Sequence, residues 1–129
     1  MTEENNTLAK IIMQQIMSGS GADGSSGKSC WMSWGSHDTQ ALEETSEYRG
    51  GLVFRTQGFK HKGKVFVWLS WMDTYVLEFL PDSGDKTVIR DVYFDNLTFA
   101  IDRNVEYTPS YEEDVKEANK NYTLGELFG

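Results

Sequence analysis

Apolar and polar residues alternate with a helical period at the start of the chain. From Thr7 to Ser18 the apolar residues recur at i, i+3, i+4, i+7 and i+8, the spacing of one face of an α-helix. We expect Thr7 to cap this helix and Gly19 to end it. Residues 19–29 then hold four glycines and four serines. This composition buries little apolar surface and predicts a flexible linker.

The period changes to that of β-strands between residues 30 and 91. Cys30 to Trp34 is a short aromatic run that predicts a strand, while residues 35–47 show no clear pattern. Further strands are predicted at 51–57, 64–71, 74–80 and 86–90, with turns at 58–63 and 81–85.

The strand at 64–71 is apolar on both faces, which is typical of a central strand. One face carries Val65 and Val67, and the other carries Phe66 and Trp68. If the helices leave the second face uncovered, these two aromatic residues form an exposed apolar patch. Such a patch indicates a partner surface or a self-association surface.

The pattern becomes helical again after the last strand. Asp91 is expected to cap a helix over residues 92–105, in which Phe94 shares a face with the later apolar residues. The acidic tail, 106–129, contains one more predicted helix, from Ser110 to about Asn121.

Together these elements predict a single α+β domain over residues 1–129. It has an N-terminal helix, an antiparallel meander of four to six strands, and a C-terminal helix packed on one face of the sheet. The length of 129 residues, with 39% apolar and 13% aromatic residues, is ordinary for one folded domain. The short acidic helix of the tail is an addition to this unit.

The formal net charge of −8 disfavours direct binding to nucleic acid or to an anionic membrane. The first residues are acidic and polar, and no apolar run reaches the ~18 residues that a membrane helix needs. We therefore expect a cytoplasmic protein. Its single cysteine, Cys30, excludes an intrachain disulfide.

Positive charge is nevertheless concentrated in one part of the chain. Residues 48–72 contain no acid, and several of their cations lie close to the predicted turn at 58–63. This region is either a solvated surface that neutralises acids elsewhere in the fold, or a small basic patch that contacts a phosphate or an acidic partner.

Residues 22–29 match the formal phosphate-loop pattern: an alanine, four further residues and then Gly-Lys-Ser. A functional phosphate loop follows a buried strand and opens a helix. Here the predicted order is the reverse, with a helix before the loop and a strand after it. We therefore interpret the segment as a linker and keep nucleotide binding as an alternative.

Other residues could in principle support catalysis or metal binding. Cys30, His37 and Asp38 are the residue types of a thiolate nucleophile, its base and an orienting carboxylate, but adjacent strand residues point to opposite faces. The spacing of His37 and His61 matches no common metal-ligand pattern. We predict no catalytic residue, no metal and no cofactor.

Several short motifs together carry a resemblance that spans about Leu8 to Glu106. They include Ser33-Trp-Gly-Ser-His, Arg49-Gly-Gly-Leu-Val-Phe and Gly58-Phe-Lys-His-Lys-Gly-Lys-Val. The set resembles small uncharacterised proteins, a domain of unknown function, encoded by phages and mobile elements of gut bacteria. Ser70, Trp71 and Val76 depart from the pattern of that group. The resemblance implies a genomic context and no catalytic residue.

We therefore expect a non-enzymatic accessory protein that binds a protein partner as a monomer or weak homodimer. An acidic anti-defence protein or DNA mimic, based on the tail, is the alternative. Function commonly lies where loops leave rigid strands. The partner-binding residues predicted on this basis are Trp34, His37, Asp38, Lys60, His61, Lys62, Asp73 and Tyr75.

Overall fold

The computed structural model describes the backbone of residues 3–107 and the side chains of residues 6–107. The predicted tail helix lies outside the described residues. A one-turn 3-10 helix, Phe94–Asn96, precedes the last α-helix. The other elements, in chain order, are α1 (Glu3–Ser18), α2 (Gly27–Ser33), β1 (His37–Leu42), β2 (Tyr48–Gln57), β3 (Lys62–Ser70), β4 (Tyr75–Pro81), β5 (Thr87–Val92) and α3 (Leu97–Val105).

The five strands form one antiparallel meander in the order β1-β2-β3-β4-β5. Strand β3 is central, as its two apolar faces predicted, and Val67 pairs with Leu52 on one side and with Leu77 on the other. Helix α1 lies against β1 and β2, and it also contacts α2 and α3. The predicted α+β architecture, with a meander between an N-terminal and a C-terminal helix, is confirmed.

The core lies between the helices and one face of the sheet. The alternation predicted for Leu52, Phe54 and Thr56 is observed, because all three side chains are buried. Helix α1 packs on β2, and the rings of Trp31 and Trp34 pack on Phe54. The side chains that complete the layer and are fully buried are Ile12, Ile16, Trp34, Val65, Val67, Leu77, Leu97, Ile101 and Val105.

The prediction of a strand at Cys30 to Trp34 is wrong, because this segment belongs to helix α2 and its C-terminal cap. Ser26 caps the helix: its hydroxyl oxygen accepts a hydrogen bond from the Ser29 amide at 3.2 Å. Gly27, Cys30 and Trp34 are buried at helical spacing. Trp31 packs against Phe54, with 4.6 Å between the ring centroids.

The glycine-rich segment before α2 is hydrogen-bonded into the fold. The Gly21 amide donates to the Ser25 carbonyl at 2.8 Å, and the Gly27 amide donates to the Gly19 carbonyl at 2.9 Å. The linker predicted to continue through Ser29 ends earlier, because α2 begins at Gly27. The segment is a tight connection between α1 and α2.

Four further features differ from the sequence predictions. Strand β1 was missed because its residues, mostly polar and exposed, have no apolar alternation. Thr7 is not a cap, because α1 already begins at Glu3. Asp91 is not a cap either: it lies within β5 with a positive φ of 58°. Phe94 does not join the buried face of α3, since 65% of it is exposed.

Candidate functional site

One face of the sheet points away from the helices, and we call it the open face. Cross-strand pairs such as Val53 with Phe66 and Trp68 with Val76 identify its members, because directly paired residues share a face. Leu80 and Val88 on this face are each 38% exposed. Arg90 follows Ile89, which pairs with the buried Leu77, so alternation places Arg90 on the open face. Ten strand residues of the open face are Val53, Arg55, Lys64, Phe66, Trp68, Val76, Glu78, Leu80, Val88 and Arg90.

The centre of the open face is an ordered aromatic cluster. The Trp68 ring stacks on Tyr48, with 4.8 Å between centroids and 20° between planes. The Trp68 Nε1 group donates a hydrogen bond of 3.2 Å to Glu78 Oε1. The Lys86 ammonium lies 3.4 Å from Glu78 Oε2. The rotamers at the centre are therefore held by packing and hydrogen bonds, which lowers the entropic cost of binding a partner.

The charge of the open face is opposite in sign to that of the whole chain. The ten residues named above include three cations and one acid, Glu78, whereas the chain carries a net charge of −8. Arg55 donates to Asp82 at 2.6 Å. Lys64 and Arg90 are exposed and form no ion pair with any of the described residues. These two cations are available to an acidic partner.

The turn between β3 and β4 adds exposed apolar surface at one end of the sheet. Trp71 is 45% exposed and Met72 is 86% exposed. The Arg49 guanidinium lies 5.0 Å above the Trp71 ring, and its Nε is 3.3 Å from Asp73 Oδ1. Asp73, one of the predicted site residues, therefore lies in a turn beside the partly exposed Trp71 ring, which Arg49 holds in place.

Three of the predicted partner-binding residues are core residues and cannot form a binding surface. The Trp34 side chain is fully buried, and its Nε1 donates to Asp102 Oδ1 at 2.9 Å. His61 is buried edge-on against Phe79, with 5.6 Å between the rings. Tyr75 is buried and its hydroxyl donates to Gln15 of α1. Sequence position suggested loop ends, but these side chains turn inward.

The remaining predicted residues near the first turn and the hairpin come together at one end of the sheet. His37 pairs with Arg55 of β2, and Lys62 pairs with Gln57 of the same strand. A bulge with φ of 53° at Asp38 brings its carboxylate to 3.9 Å from His37 Nε2, although regular alternation would separate them. Asp73 lies in the β3–β4 turn at the opposite end.

Lys60 is less available to a partner than its place in a basic loop indicated. Its ammonium donates to the Arg103 carbonyl, and its backbone amide donates to the Val105 carbonyl at 2.7 Å. Lys60 therefore helps to fasten the β2–β3 hairpin to the end of α3. Lys62 remains exposed.

Phe66 and Trp68 were predicted as a conditional patch but were not among the predicted site residues. Glu78 and Val88, which cross-strand pairing places on the same face, and Arg90, which alternation places there, were missed. The available signal was that both faces of β3 are apolar. Adding residues of β4 and β5 to this face required the strand register, which the sequence does not specify.

A polar cleft of about 150 Å³ lies between α2 and the end of α3, and it contains Cys30, Asp102 and Tyr107. Burial, followed by the negative charges of Asp102 and Asp23, raises the pKa of the Cys30 thiol to about 11. A thiol with this pKa is protonated at neutral pH and is a poor nucleophile. Asp102 is engaged on both oxygens, since Ala22 N donates to Oδ2 at 2.9 Å.

The same hydrogen bonds argue against a phosphate site in the segment at 22–29. The Ala22 amide donates to Asp102, and the amides of Gly24 and Gly27 donate to backbone carbonyls. A phosphate loop needs such amides to point at the ligand. The segment is also preceded by a helix, although the helix after it, α2, was not predicted.

Two further observations apply to the described residues only. Among the side chains of residues 6–107, no three or more His, Cys, Asp or Glu residues lie close enough together to hold a metal ion. Over the described backbone, no helix has both the length and the apolar character required to cross a membrane.

Tyr75 predicts a specific dependence of stability on pH. Burial, with a smaller contribution from the charge of Asp73, raises its pKa from 10.0 to about 12. The folded state favours the protonated phenol of Tyr75. The contribution of this phenol to the free energy of unfolding is therefore complete below the unfolded pKa of about 10 and is lost as the pH rises towards 12. Urea denaturation between pH 8 and pH 12 should therefore show a loss of stability that is smaller in Tyr75→Phe.

The Tyr75→Phe variant also loses the hydrogen bond to Gln15, which lowers stability by a constant amount below pH ~10. The informative quantity is the slope of the free energy of unfolding against pH above that value, compared between the unaltered protein and Tyr75→Phe. Parallel curves for the two proteins up to pH 12 would show that Tyr75 does not have the raised pKa.

No protein-family model matches the chain, and no curated protein or solved structure matches it. The resemblance to phage and mobile-element proteins therefore stays a prediction. The acidic tail on which the DNA-mimic alternative rests lies outside the described residues, except for Glu106 and Tyr107.

Proposed function

We propose that this protein is a non-enzymatic binding module that holds an acidic segment of a protein partner on the open face of its sheet. Because the chain resembles proteins of phages and mobile elements, the proposal also includes that this protein has an accessory role on a phage or mobile element. The apolar residues of the open face bury against the partner, and Lys64 and Arg90 contact its carboxylates.

This proposal rests on one sheet face that the described helices leave open and that combines apolar side chains with two cations, Lys64 and Arg90, which form no ion pair within residues 6–107. The helices pack on the other face, and Phe66, Leu80 and Val88 on the open face are partly exposed. Contiguous exposed apolar surface with a polar rim is typical of a protein-interaction site. The aromatic pair of Trp68 and Tyr48 supplies the rigid anchor that such sites use.

An acidic polypeptide fits this face better than a single-stranded nucleic acid. Stacking of bases requires free aromatic faces, whereas Trp68 already stacks on Tyr48. The net charge of −8 also opposes the approach of a polyanion as long as DNA or RNA.

A non-enzymatic role agrees with the environments of the buried cysteine, aspartate and histidine side chains. The buried Cys30 has a raised pKa, and both oxygens of Asp102 accept hydrogen bonds from structural groups. His61 is packed in the core. These residues stabilise the fold, and their environments are unlike those of a poised nucleophile and base.

Selection of binding peptides from a random display library tests the proposal with a defined probe. We expect the enriched peptides to combine acidic residues with aromatic or aliphatic anchors. Their affinity should fall about tenfold or more when Lys64→Glu and Arg90→Glu are introduced together, because two favourable charge contacts become repulsive. Isothermal titration calorimetry of one synthetic peptide measures the change.

The matched control is the double variant Lys10→Glu with Lys28→Glu. It makes the same change in net charge on the helical side of the fold, so its affinity for the peptide should equal that of the unaltered protein. Enriched peptides without acidic residues, or an equal loss in both double variants, would contradict the proposal. Binding of a twelve-nucleotide oligo-dT with higher affinity than any peptide would replace it by nucleic-acid recognition.

A further inference from the structure

Strand β5 forms one edge of the sheet and borders the open face. Among the described strands it pairs only with β4. Within the described part of the chain, residues 87–92 form no backbone hydrogen bond outside this pairing. An edge strand presents a row of backbone N–H and C=O groups to which a further strand can bind. Val88 of β5 lies on the open face, so this edge is continuous with the candidate site.

Exposed apolar side chains lie along the same edge. Val88 is 38% exposed, and Tyr93 and Phe94, which directly follow β5, are 61% and 65% exposed. The backbone of Tyr93 is still extended, with φ of −88° and ψ of 156°. The extended edge therefore runs from Thr87 to Tyr93. Apolar side chains beside a strand edge give a bound chain both backbone partners and contacts for its own side chains.

A bulge and a cation restrict which chains can pair with this edge. Arg90 and Asp91 of β5 together lie opposite Val76 of β4, and Asp91 has a positive φ of 58°. Bulges and charged side chains protect edge strands from indiscriminate pairing. Arg90 directly follows the regularly paired residues 87–89 and forms no ion pair with any described residue. A segment with a carboxylate beside Arg90 is therefore favoured.

The opposite edge of the sheet, β1, is less suited to an acidic segment. Residues 37–44, which comprise β1 and the two residues after it, contain Asp38, Glu43 and Glu44 but no lysine or arginine. Residues 86–92 contain two cations and one acid. Helix α1 also contacts β1. Because like charges repel, an acidic segment is expected to choose the edge at β5.

We propose that the acidic segment of the partner binds in an extended conformation and adds a strand to β5. This mode of binding rests on the proposed function and specifies how the partner segment is held. The backbone of the segment pairs with residues 87–89, and one of its carboxylates lies beside Arg90. Its apolar side chains pack against Val88 and Tyr93.

Lys64 contacts a different part of the same segment. Neighbouring strands lie about 4.8 Å apart, so the added strand is about 14 Å from β3, which carries Lys64. The residue that contacts Lys64 therefore lies outside the paired stretch, where the segment crosses the open face.

Hydrogen exchange of the full-length protein, followed residue by residue by NMR, tests the added strand. The probe is the synthetic acidic peptide from the display selection, added to saturation. Between residues 87 and 93, the amides that point away from β4 should exchange at least about tenfold more slowly in the complex, because they donate to the peptide backbone. The outward amides of β1 are the control and should exchange at the same rate with and without peptide.

Equal exchange of the β5 amides in the free and the saturated protein would overturn the added strand. Protection of the β1 amides in place of those of β5 would overturn it as well. If the charge reversal of Lys64 and Arg90 still weakens binding in either case, the proposed function stands without the added strand. Absence of acidic peptides from the selection would instead reject the proposed function, and the added strand with it.

Tyr93→Ala gives a second measurement that does not disturb the sheet pairing. Peptide affinity in calorimetry should fall about fivefold or more, because the exposed ring loses its contact with the segment. Met32→Ala is the matched control, since Met32 is 79% exposed and belongs to α2. Its affinity for the peptide should equal that of the unaltered protein. Equal affinities of Tyr93→Ala and Met32→Ala would contradict the placement of the segment along β5.

Discussion

Replacing Asp102 by alanine is expected to lower the free energy of unfolding by about 3 kcal/mol, because one buried and one part-buried N–H group lose their acceptor. The Trp34 Nε1 group and the Ala22 amide each donate to this carboxyl group at 2.9 Å. The residue joins α3 to α2 and to the connection before it. Chemical denaturation followed by tryptophan fluorescence measures the loss.

Asp85→Ala is the control for this prediction. Asp85 is an exposed residue of the β4–β5 turn, so its replacement should change stability by less than about 0.5 kcal/mol. Asp102→Asn, which keeps one acceptor, should fall between the two. A loss for Asp102→Ala as small as that of the control would mean that the carboxyl group does not hold α2 and α3 together.

Replacing Gly27 by alanine is expected to lower the free energy of unfolding by about 2 to 3 kcal/mol through steric overlap. A Cβ atom at this position would lie 1.9 Å from the Ile16 carbonyl oxygen and 2.6 Å from that of Met17. Both oxygens belong to the backbone of the last turn of α1 and cannot rotate away. Helices α1 and α2 must therefore separate to accept the methyl group.

The exposed Ser20 provides a control in the same connection, and Ser20→Ala should change stability by less than about 0.5 kcal/mol. The comparison also tests how this segment is organised. A flexible linker would accept alanine at position 27 as readily as at position 20. Equal stabilities of the two variants would therefore contradict the close packing of α1 on α2.

The long periodic segments were predictable because burial of one face dictates their spacing. Leu52, Phe54 and Thr56 alternate, and they are buried as the alternation indicates. The apolar run of β3 on both faces correctly predicted a central position in the sheet. The predicted helix at the start of the chain is also observed, although it begins four residues earlier, at Glu3.

The short elements were not predictable in the same way. Helix α2 has seven residues, so only Gly27, Cys30 and Trp34 show its period, and the aromatic content of the segment favours a strand on propensity alone. Contact with α1 and with Phe54 of the sheet decides in favour of a helix. Strand β1 is likewise formed by pairing with β2, since its own residues carry no strand pattern.

The candidate site was predictable only in part. Residues were chosen where loops leave strands, yet His61 and Tyr75 at such places point into the core. The direction of a side chain at a strand end depends on bulges and turns, such as those at Asp38 and Asp73, where φ is positive. A bulge that inserts one residue exchanges the two faces of the strand beyond it. The pattern of apolar and polar residues does not show where such a bulge lies.

Local periodicity and short connections were enough to predict the α+β class, the antiparallel meander and the inward face of its central strands. Long-range packing makes the aromatic segment after the glycine-rich stretch a helix, and Asp102 holds that helix in place. Long-range packing also sets which face of the sheet the described helices leave open. These features depend on contacts between residues far apart in the chain, such as Trp34 with Asp102, and local patterns do not encode such contacts.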